Sequence, residues 1–228
     1  MTELSSATIQ MNRINLFAKS IQRIITNRRR IIRENSILKS THNFNDDQRL
    51  ELTLAIIKPH ICKDPSCLQE IRSIIFENGF LFLKSTQIHL TRMQAESFYE
   101  EHKGKFFFER LVALMNSGEL AIHVLARVNA IQEWRQLMGS TKVFKTRLEQ
   151  PGTIRGIFGI TDTRNATHGS DSPETARREI EFFFPSFSVQ KWFEYEESEW
   201  RTKNYFILDT KQWIHRIVQN SCDMNEKI

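Results

Sequence analysis

Leu52-Thr53-Leu54-Ala55-Ile56-Ile57 is a short apolar run that ends at Lys58-Pro59. A run of this length, rich in β-branched residues and closed by a proline, is typical of a strand buried at the centre of a sheet. We therefore expect Lys58 at the rim of that sheet, because it directly follows the strand. Outward from this strand, apolar residues recur with the periods of helices and strands.

The downstream pattern predicts alternating helices and strands. Residues 67–78 have helical spacing and end at Gly79, and residues 80–89 return as a strand. Another strand is predicted over 120–126, and further helices over 93–101, 106–115 and 131–138. This order indicates the α+β class, a ferredoxin-like α/β sandwich in which a four-stranded, mostly antiparallel sheet is covered by helices. We expect the helices on one face of the sheet.

Two segments lack the apolar periodicity of a helix or a strand. The stretch between Gly139 and Gly156 is rich in Lys, Thr and Arg, which predicts a long surface loop, and loops of that length are usually functional or mobile. From Glu194 onward an acidic and aromatic cluster precedes mixed polar sequence. We interpret this end as a helix packed on the core, followed by a frayed tail.

Length and composition bound the organisation of the chain. With 228 residues and 40% hydrophobic content, it suits one domain with two appendages. We predict a basic N-terminal segment over 1–48, the domain over 49–195 and a C-terminal extension over 196–228. The three cysteines lack paired metal-ligand spacing, so neither a disulfide framework nor a zinc site is expected. No apolar run approaches the roughly 18 residues that span a bilayer, so no transmembrane segment is expected.

The basic charge lies at the N-terminus. Residues 1–45 contain eight basic and two acidic side chains, a charge of +6, so a total of +5 leaves −1 for the remainder. A nearly neutral body argues against nucleic acid as a partner, because binding it needs basic charge across the folded surface.

The N-terminal segment has the composition of a targeting peptide. Ile14, Phe17, Ile21 and Ile24 recur at helical spacing with basic residues between them, and acidic residues are scarce. An amphipathic, Arg-rich and Ser-containing segment is typical of a mitochondrial transit peptide, which favours the mitochondrial matrix. A disordered basic tail of a cytoplasmic protein and a nuclear signal at residues 28–30 are the alternatives.

A second stretch, Asn165-Ala166-Thr167-His168-Gly169-Ser170-Asp171-Ser172, sets a histidine among small polar residues. Glu179 follows in a predicted amphipathic helix that can point a carboxylate back at the ring. A carboxylate or hydroxyl bonded to one ring nitrogen leaves the other nitrogen as nucleophile or base. A lone histidine is more often structural, so the neighbouring acid is what makes His168 a catalytic candidate.

Phosphate-binding side chains lie elsewhere in the sequence. Lys58, Arg135 and Arg155 are suited to a polyphosphate, although each alone is more often a solvated surface charge. Phe106-Phe107-Phe108 reads mostly as core, with one ring able to stack on a base. Neither a Walker A loop nor a kinase glycine loop is present. Phosphoryl transfer would therefore need another route, and a histidine that takes the phosphoryl group itself is such a route.

These motifs resemble the nucleoside diphosphate kinase family over roughly residues 51–195, and the nucleoside diphosphate kinase 6 subfamily in particular. The subfamily likeness lies in Thr161-Asp162-Thr163-Arg164-Asn165. The stretches that carry the family likeness are Ala55-Ile56-Ile57-Lys58-Pro59, residues 98–108, Leu137-Met138-Gly139-Ser140-Thr141, Pro151-Gly152-Thr153-Ile154-Arg155-Gly156 and residues 164–172.

The resemblance implies an enzyme that moves the γ-phosphate of a nucleoside triphosphate to a nucleoside diphosphate through a phosphohistidine at His168, in a ping-pong exchange. Glu179 would orient the ring and Ser170 would support that pair. Magnesium would arrive with the nucleotide rather than in a protein metal site, with Asp171 able to contact it through water. Base stacking is assigned to Phe108. The implied phosphate- and ribose-binding residues are Lys58, Tyr99, Arg135, Thr141, Arg155 and Asn165.

Two departures from the family pattern stand out. His60 replaces the usual aspartate after Lys58-Pro59. The loop over residues 140–150 is about three residues longer than in typical members, and such a loop borders the nucleotide and joins subunits in the family. The chain could therefore form a homo-oligomer or bind another protein. The alternative function is a weakly active or inactive nucleotide-binding fold that acts as a regulatory interaction module.

Overall fold

A computed structural model describes residues 37–41, 48–203 and 205–218. The strands are β1 Ile37–Thr41, β2 Glu51–Ile57, β3 Leu81–Ile88, β4 Leu120–Arg127, β5 Thr167–Gly169, β6 Tyr205–Asp209 and β7 Ile214–Ile217. The α-helices are α1 Pro59–Cys62, α2 Pro65–Glu77, α3 Arg92–Phe98, α4 Phe108–Met115, α5 Ala130–Met138, α6 Val143–Glu149, α7 Ile154–Phe158, α8 Pro173–Phe183, α9 Val189–Lys191 and α10 Glu197–Thr202. A 3₁₀ turn covers Glu100–His102 and a π-helical segment covers Trp192–Glu196.

The central sheet has four strands in the order β3-β4-β2-β5. All of its neighbouring strands pair antiparallel. In β2, Ile56 stands opposite Ile122 of β4 on one side and His168 of β5 on the other. The predicted α+β fold with a four-stranded sheet is confirmed, and its central strand lies directly beside the predicted catalytic histidine.

Helices cover both faces of this sheet, so the expectation of one covered face was wrong. Leu54 and Ile56 of β2 pack in one core with residues of α3, α4 and α8. Ala55 and Ile57 pack in a second core with residues of α2 and α5. The cause is visible in the strand itself, because Leu52 to Ile57 are all buried and a strand turns successive side chains to opposite faces.

The stretch after Gly139 is helical, which corrects the prediction of an unstructured loop. It contains α6 and α7, separated by a turn at residues 151–153. Val143 is buried, whereas Phe144 and Leu148 are 80% and 68% exposed. The apolar periodicity did not reveal α6, because the large apolar residues of this helix face outward and do not form a buried stripe.

The C-terminal extension forms strands where a frayed tail was expected. β6 and β7 make a second sheet with β1 in the order β1-β6-β7, so residues from both ends of the chain share it. Residues 219–228 and the predicted amphipathic helix over residues 14–24 lie outside the described residues. Within the described part of the chain, none of the helices is long and apolar enough to cross a membrane.

Candidate active site

The backbone around His168 is fixed from three sides. His168 lies on β5 opposite Ile56, and its carbonyl accepts a hydrogen bond from Trp134 Nε1 at 3.3 Å. The Lys58 amide donates to the Ala166 carbonyl at 2.9 Å. Gly169 is required beside the histidine, because a Cβ at that position would collide with the Trp134 ring and with the end of Met138. The ring therefore projects from a short, rigid strand.

His168, Glu179 and Ser170 form a continuous hydrogen-bonded array. His168 Nε2 lies 2.8 Å from Glu179 Oε1, and Ser170 Oγ donates to Glu179 Oε2 at 2.6 Å. The Leu54 amide of β2 donates to Ser170 Oγ at 3.2 Å. Glu179 is only 2% exposed, so both carboxylate oxygens are committed within the protein. The structure thus brings together the three predicted catalytic residues.

Helix α8 delivers the carboxylate. Ser172 caps its first turn by accepting from the Thr175 amide at 3.1 Å, and Pro173 occupies the first helical position. Glu179 then falls on the buried side of the helix with Ala176 and Ile180. The helix start directly after the histidine stretch explains how a residue eleven positions downstream returns to the ring.

The hydrogen bond at Nε2 decides which nitrogen can react. With Nε2–H donating to the carboxylate, Nδ1 keeps its lone pair. Among the described residues, no hydrogen bond engages Nδ1. The side chain of His168 is 22% exposed and meets Phe98 and Tyr99 edge-on, with ring centroids 5.2 and 6.2 Å away. The ring is held between aromatic edges with one basic nitrogen accessible.

An open cleft of about 1010 Å³ lies in front of the histidine. Its lining includes four of the predicted catalytic and nucleotide-binding residues, namely His168, Arg135, Thr141 and Arg155. Asp171 lines the same cleft and is exposed. Of the other predicted residues, Lys58, Tyr99, Phe108 and Asn165 do not line it. The cleft therefore gathers one nucleophile candidate and two guanidinium groups in a single space.

Lys58 is not among the residues that line the cleft, and it is 3% exposed. Its Nζ donates to Asn165 Oδ1 at 2.6 Å and to the Thr163 carbonyl at 3.2 Å. Burial, with the nearby positive charge of Arg155, lowers the pKa of Lys58 to about 7. Burial, and then the charge of Lys58, lowers the pKa of His60 to about 4. His60, the departure noted in the sequence, is thus neutral at pH 7.

Arg155 is also buried and is held by backbone carbonyls. Its guanidinium donates to the Gly139 carbonyl at 2.6 Å and to the Thr167 carbonyl at 3.1 Å. Burial, together with the charge of Arg135, lowers the pKa of Arg155 to about 10, so the side chain keeps its charge at neutral pH. It ties the start of the lengthened loop to the strand that carries His168.

Tyr99 is 4% exposed and lies beside the histidine. Its burial, with the carboxylate of Glu179, raises the pKa of the phenol well above its usual range. Tyr99 therefore keeps its proton at neutral pH and offers a hydroxyl rather than a phenolate to the site.

Phe108 is the residue predicted to stack on a base, and that role stays a prediction. It is the first residue of α4 and packs in the core at 9% exposure. Phe106 is 84% exposed, and Phe107 is half-buried with its ring 5.5 Å from His102. Three consecutive phenylalanines cannot reveal from sequence which one begins the helix, and that position decides which ring turns inward.

Trp134 and Met138 shape the site but were not predicted. They lie on α5 at core spacing, which is the ordinary pattern of a buried helix face. The only sequence signal was Gly169, since a glycine next to a reactive residue marks a close approach of other groups.

Carboxylates suited to a metal are few at the site. In the part of the chain that the structure describes, no group of three His, Cys, Asp or Glu could hold a metal ion. Of the acidic residues that the structure describes near the histidine array, only Asp171 both lines the cleft and is exposed to solvent. Magnesium binds through one or two carboxylates, substrate phosphates and water, and a single exposed aspartate beside a phosphate cleft fits that mode.

Comparison with known proteins gives a consistent result. Residues 51–189 match the family described as "Nucleoside diphosphate kinase". The chain is 47% identical over 168 residues to "Nucleoside diphosphate kinase 6" of Xenopus tropicalis, covering 74% of this chain and 93% of that protein. It is 48% identical over 154 residues to "Nucleoside diphosphate kinase 6" of Homo sapiens, covering 68% of this chain and 83% of that protein.

Solved structures agree with the sequence match. The nucleoside diphosphate kinase of Aquifex aeolicus superposes with a TM-score of 0.57 at 36% identity, over 59% of this chain and 95% of that chain. A nucleoside diphosphate kinase of Halobacterium salinarum, solved in complex with CDP, gives a TM-score of 0.55 at 31% identity, over 59% of this chain and 87% of that chain.

Proposed function

Because this chain belongs to the nucleoside diphosphate kinase family, and within it to the nucleoside diphosphate kinase 6 subfamily, we propose that it transfers the γ-phosphate of a nucleoside triphosphate to a nucleoside diphosphate through a phosphohistidine at His168. One observation carries the proposal. His168 Nε2 is bonded to the buried Glu179 carboxylate at 2.8 Å, while the ring stays 22% exposed toward the cleft. That arrangement suits Nδ1 as the nucleophile.

The proposed exchange has two balanced half-reactions. The lone pair of neutral Nδ1 attacks the γ-phosphorus in line, the bond from that phosphorus to the bridging oxygen breaks, and the nucleoside diphosphate leaves with the electron pair. A terminal oxygen of a second nucleoside diphosphate then attacks the phosphorus, and the N–P bond breaks with its electrons returning to Nδ1. Glu179 keeps the Nε2 proton bonded throughout, so positive charge that develops on the ring faces a carboxylate.

The cations of the site are proposed to hold the phosphates. Arg135 and Arg155 line the cleft with His168, and planar guanidinium groups match phosphate oxygens in two-point contacts. Thr141 adds a hydroxyl on the same wall. Magnesium bound with the nucleotide would neutralise phosphate charge, and Asp171, which lines the cleft, would contact it through water.

Lys58 and Asn165, which are bonded to each other, are also proposed to bind the nucleotide. Lys58 donates to Asn165 Oδ1, and nucleotide binding would exchange this bond for bonds to phosphate and ribose oxygens. A neighbouring phosphate stabilises the charged lysine, and the pKa of Lys58, lowered to about 7, would rise again on binding.

The base is proposed to stack on Phe108, as the resemblance implies, and Phe107 is a second candidate. Tyr99 lies edge-on to His168, His102 stacks on Tyr99 at 5.8 Å, and the Phe107 ring lies 5.5 Å from His102. This row of aromatic rings supports Phe107, the half-buried member of the triplet. Stacking tolerates any base, because every base has a π face.

Steady-state kinetics test the proposed reaction. Varying the triphosphate at several diphosphate concentrations should give the parallel reciprocal plots of a ping-pong exchange, with turnover in the ordinary enzymatic range of about 1 to 1000 per second. Intersecting plots, which indicate direct transfer within a ternary complex, would contradict the phosphohistidine.

The alternative is a regulatory module that retains a nucleotide but turns it over far more slowly. The exposed Phe144 and Leu148 of α6 favour it, because apolar side chains on the lengthened loop suit contact with another protein. Micromolar nucleotide binding together with turnover far below about 1 per second would select this function over the kinase.

Localisation in the mitochondrial matrix is proposed from the basic, acid-poor segment before β1. Fusing residues 1–36 to a fluorescent reporter tests it. Signal in mitochondria is expected, and diffuse or nuclear signal would overturn the proposal.

A further inference from the structure

The start of helix α6 is capped from a distant part of the chain. The first amides of a helix have no partner within the helix, so another group must accept from them. Lys142 stands directly before α6, and the Val143 amide donates to Asp162 Oδ1 at 3.0 Å, 19 residues along the chain. The other carboxylate oxygen, Asp162 Oδ2, accepts from Lys142 Nζ at 3.1 Å. Both oxygens of one carboxylate therefore hold the start of α6.

The backbone of Asp162 is linked to the buried lysine of the site. Its carbonyl accepts from Asn165 Nδ2 at 2.8 Å. Because the amide nitrogen of Asn165 is engaged there, its amide oxygen is left for Lys58 Nζ, which lies 2.6 Å away. The Thr163 carbonyl accepts from the same Nζ at 3.2 Å. One short segment, residues 162–165, thus joins the start of α6 to Lys58.

The turn that contains Asp162 is closed by its own hydrogen bonds. The Ile160 amide donates to the Arg164 carbonyl at 2.7 Å, and the Arg164 amide donates to Thr161 Oγ1 at 3.0 Å. These bonds restrain the backbone on both sides of Asp162. Its carboxylate is therefore held in place by the turn, although the side chain is 53% exposed.

The capped end of α6 borders the cleft. Ser140 and Thr141 line the cleft and directly precede Lys142. Inside α6, the buried Thr146 hydroxyl donates to the Lys142 carbonyl at 2.9 Å and to the Ser140 carbonyl at 3.0 Å. Val143 is 2% exposed, so the first residue of the helix is anchored in the protein. The position at which α6 begins therefore sets the position of Thr141 in the cleft wall.

We propose that Asp162 is a positioning residue for nucleotide binding, whose carboxylate fixes the start of the lengthened loop relative to Lys58. This inference rests on the proposed function in one respect, namely that the cleft binds a nucleotide. The ion pair with Lys142 contributes little, because both side chains are more than half exposed and solvent screens the pair. The bond from the Val143 amide is the contact that carries the positioning.

Three variants separate the two bonds of the carboxylate. Asp162→Ala removes both, Asp162→Asn keeps an oxygen for the Val143 amide, and Lys142→Met removes only the ion pair. Without the cap, the loop start is ordered in only a fraction of the molecules, and the apparent affinity falls by that fraction. In Asp162→Ala the dissociation constant for ADP should rise about 3- to 10-fold, as for loss of one helix cap. Asp162→Asn and Lys142→Met should stay within about twofold of wild type.

Calorimetric titration with ADP measures these constants without any need for turnover. Wild-type affinity in Asp162→Ala, or an equal loss in Lys142→Met, would overturn the positioning role. If wild-type protein binds ADP with the expected order of variants but transfers no phosphate, the positioning role is supported and the proposed kinase is contradicted. Wild-type protein that binds no ADP would overturn both.

The split between KM and kcat distinguishes positioning from a general loss of structure. In Asp162→Ala, KM should rise while kcat stays within about twofold, because the change removes binding that the ground state and the transition state share. A parallel fall of kcat and of the melting temperature would overturn the proposal, since it would indicate damage to the whole domain.

Hydrogen exchange tests the cap in wild-type protein, and so applies even if Asp162→Ala fails to fold. The Val143 amide is the first of its helix and should be protected because it is bonded to Asp162. Asp162→Asn should keep this protection. A Val143 amide that exchanges in wild-type protein as fast as an exposed amide would overturn the proposal.

Discussion

The histidine side of the candidate site and its cation side differ in what their polar groups contact. On the histidine side, Glu179 is bonded to His168, and Ser170 donates to Glu179. On the cation side, Lys58 and Arg155 donate to oxygens of the protein itself. The histidine is thus oriented by the fold, whereas under the proposed function the cations would exchange partners when a nucleotide binds. Substitutions on the histidine side should mainly change the rate of the chemical step. Substitutions on the cation side should mainly change nucleotide binding.

Loss of the nucleophile should have the largest effect. His168→Ala is expected to reduce turnover by at least about 1000-fold, because the phosphoryl group loses its carrier while the binding groups remain. His89→Ala is the matched control, since His89 is exposed and bonds the Asn116 carbonyl away from the cleft. Exchange kinetics of both variants check this. Equal losses in the two variants would remove His168 from the mechanism.

Loss of the buried cation should have the next largest effect. Lys58→Met keeps the shape but removes the charge, and kcat/KM is expected to fall about 100- to 1000-fold, as for loss of one charge-stabilising donor. Thermal stability should be retained, because the variant no longer buries an ammonium group. The exposed Lys63→Met serves as control and should keep wild-type kinetics. If the melting temperature of Lys58→Met falls enough to explain the loss in kcat/KM, Lys58 has a structural role instead.

The orienting acid should contribute less than the residue it orients. Glu179→Gln preserves the packing but weakens the bond to Nε2, and kcat is expected to fall about 10- to 100-fold with a smaller change in KM. Ser170→Ala, which removes only one bond to the carboxylate, should cost less than Glu179→Gln. Measuring kcat and KM for Glu179→Gln and Ser170→Ala shows which substitution has the larger effect. A larger effect of Ser170→Ala would reverse the assigned roles.

The pH dependence of nucleotide binding tests the cation side of the site separately. Because the pKa of Lys58 is lowered to about 7, the side chain loses its proton as pH rises above 7, and phosphate binding must restore that proton. The dissociation constant for a nucleoside diphosphate should therefore rise by up to about tenfold per pH unit above 7. Calorimetric titration between pH 6 and pH 8.5 measures the slope. Lys58→Met should flatten it, and an unchanged slope in that variant would point to another group.

The smallest effect is expected on the outer face of α6. Phe144 is 80% exposed, so Phe144→Ser should change the free energy of unfolding by less than about 0.5 kcal/mol. Denaturant unfolding of the variant checks this. A loss of several kcal/mol, as for a buried phenylalanine, would mean that the ring is covered in solution.

The sequence allowed both the central strand and the catalytic array to be predicted, because their signals are local. β2 is marked by a continuous apolar run, and Glu179 lies one helix away from His168. The second sheet, formed by β1, β6 and β7, was not predictable in this way, since His215 of β7 reaches Phe82 across 133 residues. Helix α6 was missed for the opposite reason, because its apolar residues face outward.

Incubation with γ-labelled ATP, followed by mapping of the labelled peptide, is the most direct test of a phosphohistidine at His168. The proposed reaction predicts an acid-labile phosphoprotein whose phosphate lies on His168 and is discharged when a nucleoside diphosphate is added. Wild-type protein that stays unlabelled, or label that remains on His168→Ala, would contradict it.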